Sequence, residues 1–302
     1  DREAYLKFMR SIKTYCHPET QLLSATGASL SMIGAVQTSR IGLDYGEGRP
    51  LEKFYPSYPA TYVINGSFGS MGSPNKNAVN NLAMWAFAHG RFFQCNCNMM
   101  TVDKPIPLNE AQISATLFGI SPSPVFFGDD IDRMSPDRLA LIKKVLPRCP
   151  GMPEPVDLFQ RFDTDKNFIR TFVLKVEKPW ATWFVAAVFN LNNSFRTIEF
   201  TPEEWNLDSG KKYRMYDFWQ ETYCGIVDGK KTIEIPANSA VVYRLEEVKD
   251  HPWILSTDMH VRQGDAELAD VKWNAETRTL YGIAKRCPGE QGNIFVIAND
   301  SF

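Results

Sequence analysis

The sequence predicts α/β followed by all-β structure: about half of a (β/α)8 barrel, then an antiparallel β-sandwich and a further β segment. Three observations carry this expectation. Strand-like and helix-like segments alternate up to about residue 150, and polar residues gather at the carboxyl ends of the strands, where a parallel α/β barrel places its site. About four such units fit there, half of the eight a full barrel needs. From about Pro155 the apolar period shortens to two, with turn residues at short intervals, as an antiparallel sandwich requires.

Residues 1–14 read as an amphipathic helix that Asp1 could cap, with Ala4, Tyr5, Phe8, Met9 and Ile12 at helical spacing. His17-Pro18-Glu19 breaks it, and Thr20 to Ser24 reads as a short buried strand. That strand ends in the small residues Ala25 to Ser29, where a ligand could approach closely. A strand over Arg40–Asp44 puts an arginine and a carboxylate four residues apart at the start of a long Gly-, Pro- and aromatic-rich loop. Such a pair is usually a surface ion pair. A carboxylate held by Arg40 among aromatic rings is also placed for proton transfer to a sugar oxygen. A helix over Asn77–His89 comes next, with Gly90 where a left-handed C-terminal residue is wanted. Then come a strand over Arg91–Cys95 ending in Asn96-Cys97-Asn98, a helix over Leu108–Phe118, and a strand over Ser123–Phe127 ending in Gly128-Asp129-Asp130. Ser135-Pro136 is a helix start, and that helix runs to about Val145.

Period-two segments then begin at Thr171, Thr182, Arg196, Lys212, Thr232 and Ser239, and after His251 at Trp253, Ala266, Thr279 and Gly292. The expected domains are 1–152, the half barrel; 153–248, the sandwich; and 249–302, an additional and incomplete β segment.

With 33 basic and 35 acidic side chains and no basic stripe, the chain has no footprint for nucleic acid. No apolar run reaches the roughly 20 residues that cross a bilayer. The opening Asp1-Arg2-Glu3-Ala4 is charged, with neither an initiator Met nor a signal-peptide apolar segment, which reads as a processed or excised piece. Six scattered cysteines select no pairing, and buried free thiols are the plainer reading. A secreted or periplasmic location is placed ahead of a cytoplasmic one. Cys95-x-Cys97 is too tight for the usual zinc pair, and four dispersed histidines build no metal site, so no metal and no cofactor is expected. Asp163-Thr-Asp165-Lys-Asn167 starts like a calcium loop but has Phe168 and Leu174 where Gly and Glu belong. Trp180, Trp183, Trp219 and Trp253 could stack sugars, although core packing is their plainer use.

Several segments carry a resemblance. Arg40-Ile-Gly-Leu-Asp44, the Ala83-Met-Trp-Ala-Phe helix and Met99-Met100 come first. Pro124-Val-Phe-Phe-Gly-Asp-Asp with Ser135-Pro-Asp-Arg is the most specific. Together, over roughly residues 1–245, they resemble the C-terminal part of an α-galactosidase-type glycoside hydrolase (the melibiase group, families 27 and 36), which implies the second half of its (β/α)8 catalytic barrel plus the β-sandwich. The resemblance implies a retaining mechanism with two carboxylates about 5–5.5 Å apart, one nucleophile and one acid/base. It puts Asp44 at the acid/base position, Arg40, Asn96 and Asn98 at the substrate, and Asp129 with Asp130 at the mouth of the last barrel strand, where they either meet the substrate or cap the loop before the Ser135 helix. The chain departs from the family in two ways. The nucleophilic Asp after Lys-x belongs on a strand upstream of Asp1, and Asn96-Cys97-Asn98 stands where the family has Asp-Pro-Asp.

The expected function is therefore α-galactoside or α-N-acetylgalactosaminide cleavage on a carbohydrate substrate. The missing half of the barrel would come from elsewhere in the protein or from a partner chain, and this chain alone would be inactive. The alternative is a non-catalytic carbohydrate-binding or scaffold protein on a degenerate glycosidase fold. Small residues at Ala25 to Ser29 would leave room for a 2-substituent such as N-acetyl.

Overall fold

The computed structural model of the chain describes residues 2–25, 28–42, 74–104, 106–159 and 169–298. Asp1, Asp44, the loop from Gly46 to Tyr58 and the Asp163–Asn167 fragment lie outside the described residues.

The first half is a small parallel sheet clad by helices. Helix α1 (Arg2–Tyr15) buries none of its residues, and Phe8 is 62% exposed. Strands β1 (Leu23–Ser24), β2 (Thr38–Arg40) and β3 (Gln94–Asn96) lie parallel in that order, with Ser24 opposite Ser39 and Arg40 opposite Asn96. A fourth position is held by a single parallel bridge between Met100 and Phe127, where Met100 N–H donates to Phe126 O at 2.7 Å and Gly128 N–H to Met100 O at 3.0 Å. Helices α2 (Pro74–Trp85), α3 (Leu108–Ile120) and α4 (Pro136–Lys143) come next in the chain.

Four expected strands are shorter than the sequence suggested. Instead of Thr20–Ser24 only Leu23–Ser24 pairs, because Leu22 N–H is taken by the Gln37 side chain at 2.7 Å. Instead of Arg40–Asp44 the strand is Thr38–Arg40, and Gly42 turns against α2. The strand expected at Arg91 begins at Gln94, because Gly90, at φ 70°, starts a turn closed by its N–H to Phe93 O. The strand expected over Ser123–Phe127 shrinks to its last residue, since Pro122 and Pro124 have no N–H to give a ladder.

The second half is antiparallel. The strands are β4 (Glu154–Pro155), β5 (Ile169–Lys178), β6 (Ala181–Asn190), β7 (Arg196–Phe200), β8 (Tyr213–Asp217), β9 (Thr222–Val227), β10 (Lys231–Ile235) and β11 (Ser239–Glu247). Six of them form one sheet, β4-β5-β6-β11-β8-β9, and β7 pairs with β10 over it. The sequence does not announce β9, whose alternation is broken by Gly225 in the left-handed region (φ 84°). One face of the large sheet, through Val188, Met215, Val241 and Tyr243, packs on Phe200, Trp205 and Ile233. Its other face, through Phe172, Val185, Phe189 and Val242, shares a single core with Val79, Leu82, Leu117 and Phe118 of the half barrel. Strands β6 and β11 are therefore covered on both sides and read as nearly continuous apolar runs. Helix α3, between the two layers, is buried almost all round for the same reason.

The last unit has two antiparallel pairs, the second a hairpin that lies between the strands of the first in the chain. Strand β12 (Trp253–Thr257) pairs with β15 (Ile294–Ile297), and β13 (Leu268–Asn274) with β14 (Thr279–Ala284). Among the described residues no helix is long and apolar enough to cross a membrane.

Candidate active site

The candidate site lies at the carboxyl ends of β2, β3 and the Met100–Phe127 position. Side chains alternate along a strand. Ser39 and Cys95 are opposite each other, and the Cys95 thiol reaches Trp85 O of α2 at 3.4 Å, so this pair faces the helices. Their neighbours Arg40 and Asn96, also opposite each other, therefore share the other face, where the interior of a barrel would be. The structure brings these two predicted residues together at the strand ends.

The other predicted residues hold backbone near those ends. Asn98 has φ 81°, and its N–H donates to Asn96 Oδ1 at 2.8 Å, so the Asn96 amide holds the turn that Asn98 makes. Ile41 N–H reaches Asn96 O at 3.0 Å and keeps β2 and β3 in step beyond Arg40. Asp129 accepts from Val102 N–H at 2.7 Å and Asp103 N–H at 3.2 Å, so its carboxylate fixes the loop after Met100. Asp44 lies outside the described residues.

Three supports were hidden in the sequence. Gly42 lies against α2 so closely that an added Cβ would sit 2.6 Å from Asn77 Oδ1, and Asn77 accepts from Asn81 Nδ2 at 2.9 Å. Gly128 likewise has Thr101 and Met99 where a Cβ would go. Arg138 is buried and donates to Val102 O at 2.9 Å and Ile106 O at 2.8 Å, clamping the loop that Asp129 holds at its start. Its signal was the Arg of Ser135-Pro-Asp-Arg, whose role only the fold reveals. Ser135 stands at the N-cap of α4 but its side chain makes no cap hydrogen bond.

Behind the strand ends the chemistry is quiet. Burial pushes both the Cys95 and Cys97 thiols up to about 12, although the Ser123 and Ser121 hydroxyls partly offset this at Cys97. The protonated thiol is neither a nucleophile nor a metal ligand. Among the described residues no three His, Cys, Asp or Glu side chains gather where they could hold a metal ion. Trp183 and Trp253 belong to the core, and Trp180 and Trp219 are half-buried against it.

Residues 180–245 match the family model of the α-galactosidase C-terminal β-sandwich domain. No curated protein matches by sequence. Among solved structures the chain is similar to a GH27 β-L-arabinopyranosidase from Geobacillus stearothermophilus in complex with arabinose. Its TM-score is 0.58 at 14% identity, covering 82% of this chain and 55% of that one. It is also similar to the Saccharomyces cerevisiae α-galactosidase solved with raffinose, with TM-score 0.56, 11% identity, and 82% and 68% coverage. Against α-galactosidase I from Mortierella vinacea the TM-score is 0.50 at 14% identity, with 72% and 54% coverage. The chain thus has the fold of the C-terminal part of the α-galactosidase type, a half barrel followed by the β-sandwich. It spans little more than half the length of most of these relatives.

Proposed function

We propose that this chain is the C-terminal part of a retaining glycoside hydrolase that cleaves α-galactosides or α-N-acetylgalactosaminides. The observation that carries the reading is the pairing of Arg40 with Asn96 at the carboxyl ends of parallel strands, in a half barrel joined directly to an α-galactosidase-type sandwich. Asp44, four residues after Arg40, is the acid/base in this reading. It protonates the leaving oxygen and then takes a proton from the incoming water, while a carboxylate on a strand outside this chain forms the glycosyl intermediate. Arg40, Asn96, Asn98 and Asp129 hold sugar hydroxyls. The half barrel is residues 1–152, the sandwich 153–248 and the additional unit 249–302.

The strands outside this chain come from the rest of the same protein or from a partner. The exposed Phe8 of α1, and Leu23 on β1 at the sheet edge, support their docking on that side. Hydrolysis of nitrophenyl α-galactoside and α-N-acetylgalactosaminide by the barrel-completed protein tests the proposal. Activity that Asp44→Asn reduces at least about a thousandfold supports it. A second reading, a sugar-binding protein without turnover, is favoured by the neutral Asn96 and Asn98 and by the backbone work that Asn96 and Asp129 already do. Galactose binding without hydrolysis in the completed protein would establish that reading instead.

A further inference from the structure

We propose that Arg262, in the C-terminal β unit, is a positioning residue for the strand that ends at Asp129, acting through the end of α3. The proposal rests on the glycosidase reading only in treating that strand end as part of a sugar site.

Arg262 is buried, its side chain 2% exposed. Its Nη1 donates to Gly119 O and to Pro147 O, each at 3.1 Å, and its Nε pairs with Asp265, which also holds Lys178 at 2.5 Å. Gly119 O belongs to the last turn of α3, where carbonyls have no partner inside the helix and a cation meets the negative end of the helix dipole. Around Arg262 the same segment grips the neighbouring elements. His260 Nε2 lies 2.9 Å from Val145 O and 3.2 Å from Pro147 O, while its Nδ1 accepts Arg262 N–H at 3.0 Å, so the ring is a neutral donor toward the end of the last helical stretch. Trp183 Nε1 donates to Arg262 O at 3.1 Å and ties the segment to the sandwich. Val261 fills the space beside Gly119, where an added Cβ would meet it at 2.9 Å.

Beyond Gly119 the chain runs directly into the site strand. Ser123 Oγ accepts Cys97 N–H at 2.9 Å, Phe126 and Gly128 bracket Met100, and Asp129 fixes Val102 and Asp103. This stretch has one bridge in place of a ladder, so its two ends join the Ser123 and Met100 hydrogen bonds in setting its register. Asp129 anchors one end. The Arg262–Gly119 contact anchors the other, from a unit more than a hundred residues later in the chain. The C-terminal unit thereby acts on the mouth without touching it.

Amide hydrogen exchange on the full chain, monitored by NMR, tests this. Arg262→Gln should speed exchange at Met100, Val102, Asp103 and Gly128 at least about tenfold while leaving Val185 to Phe189 of β6 unchanged. Lys178→Met, which removes the outer member of the ion pair and leaves Gly119 alone, should leave those mouth amides within about threefold of the parent. Three outcomes overturn the proposal: unchanged mouth amides in Arg262→Gln, equal acceleration in β6, or the same acceleration in Lys178→Met. If Arg262→Gln does not fold, Arg262→Lys carries the same test. Absence of hydrolysis in the completed protein would strike the glycosidase reading and leave this coupling standing.

Discussion

Gly119→Ala places one methyl group where α3 meets the C-terminal unit. The new Cβ would lie 2.9 Å from Val261 Cβ and 3.0 and 3.2 Å from its two methyl carbons. Val261 cannot swing aside easily. Its β-branched side chain is stiff, it is fully buried, and its N–H is held by Lys144 O at 2.9 Å. Helix propensity pulls the other way, since Ala is favoured over Gly by about 1 kcal/mol in a helix interior and by less in the last turn. Overpacking of this kind costs about 1–3 kcal/mol, so the net expectation is a loss of about 1–2 kcal/mol. Val261→Ala alone removes two buried methyl groups and should cost about 1.5–3 kcal/mol. In the double variant the contacts with the two methyl carbons are gone, while the 2.9 Å contact with the retained Cβ of residue 261 stays. The double variant's loss should therefore fall short of the sum of the singles by about 1 kcal/mol, the part of the overpacking that the methyl carbons cause. Urea unfolding of the four proteins, with the slope unchanged between them, measures the coupling. Additivity within about 0.5 kcal/mol would refute the packing of the Val261 methyl carbons against Gly119.

Buried polar groups and thiols give three further expectations. Burial raises the Asp157 carboxyl to about 6, against the pull of Arg170 and the Thr171 N–H, so the folded state holds its proton more tightly than the unfolded state. The stability this proton contributes is complete below about pH 3.8 and is lost as the pH rises through about 6, so Asp157→Asn should raise Tm more at pH 7.5 than at pH 4.5; an equal shift at both would refute this. Arg244, stacked over Trp183 at 4.3 Å and paired with Glu246, is buried, and Arg244→Met strands that carboxylate with only Trp253 Nε1, 2.7 Å away. The loss in urea should be about 3–5 kcal/mol and should shrink when Glu246→Gln is added; a loss under about 1 kcal/mol would mean that the pair is not buried as seen. Finally, iodoacetamide at pH 8 with readout by mass spectrometry should modify the exposed Cys287 first and spare Cys95 and Cys97 until denaturant is added; early labelling of Cys95 or Cys97 would contradict their burial.

The sequence was most legible where local physics and tertiary packing agree. The helices α2, α3 and α4 and most sandwich strands were readable because apolar spacing and Pro or Gly punctuation both mark them. It was least legible where side chains replace backbone pairing. Gln37 occupies the N–H of Leu22, and Ser123 and Asp129 hold backbone N–H groups that a longer ladder would have used. No periodicity rule registers that exchange. The two-sided burial of β6 and β11 was equally out of reach, because it depends on the helix Leu108–Ile120, far earlier in the chain. The clasp at Asp258–Glu267 looks in sequence like a polar loop. There Arg262 donates to Gly119 O at the end of α3, Gln263 O accepts from buried Arg244, and Glu267 accepts Gly264 N–H, partners that periodicity does not announce.

The same distinction bears on the two asparagines at the mouth. Asn96 uses its amide oxygen to accept Asn98 N–H, and a carboxylate oxygen at that position would accept the same bond. The turn therefore does not require an amide, and the fold does not explain why the residue is neutral. What an aspartate would change is charge: it would stand opposite Arg40 on the neighbouring strand, on the face turned from the helices. The neutral residue adds no negative charge beside Arg40. The choice at position 96 is thus not dictated by the turn, and Asn96→Asp should keep the turn while changing the charge beside Arg40.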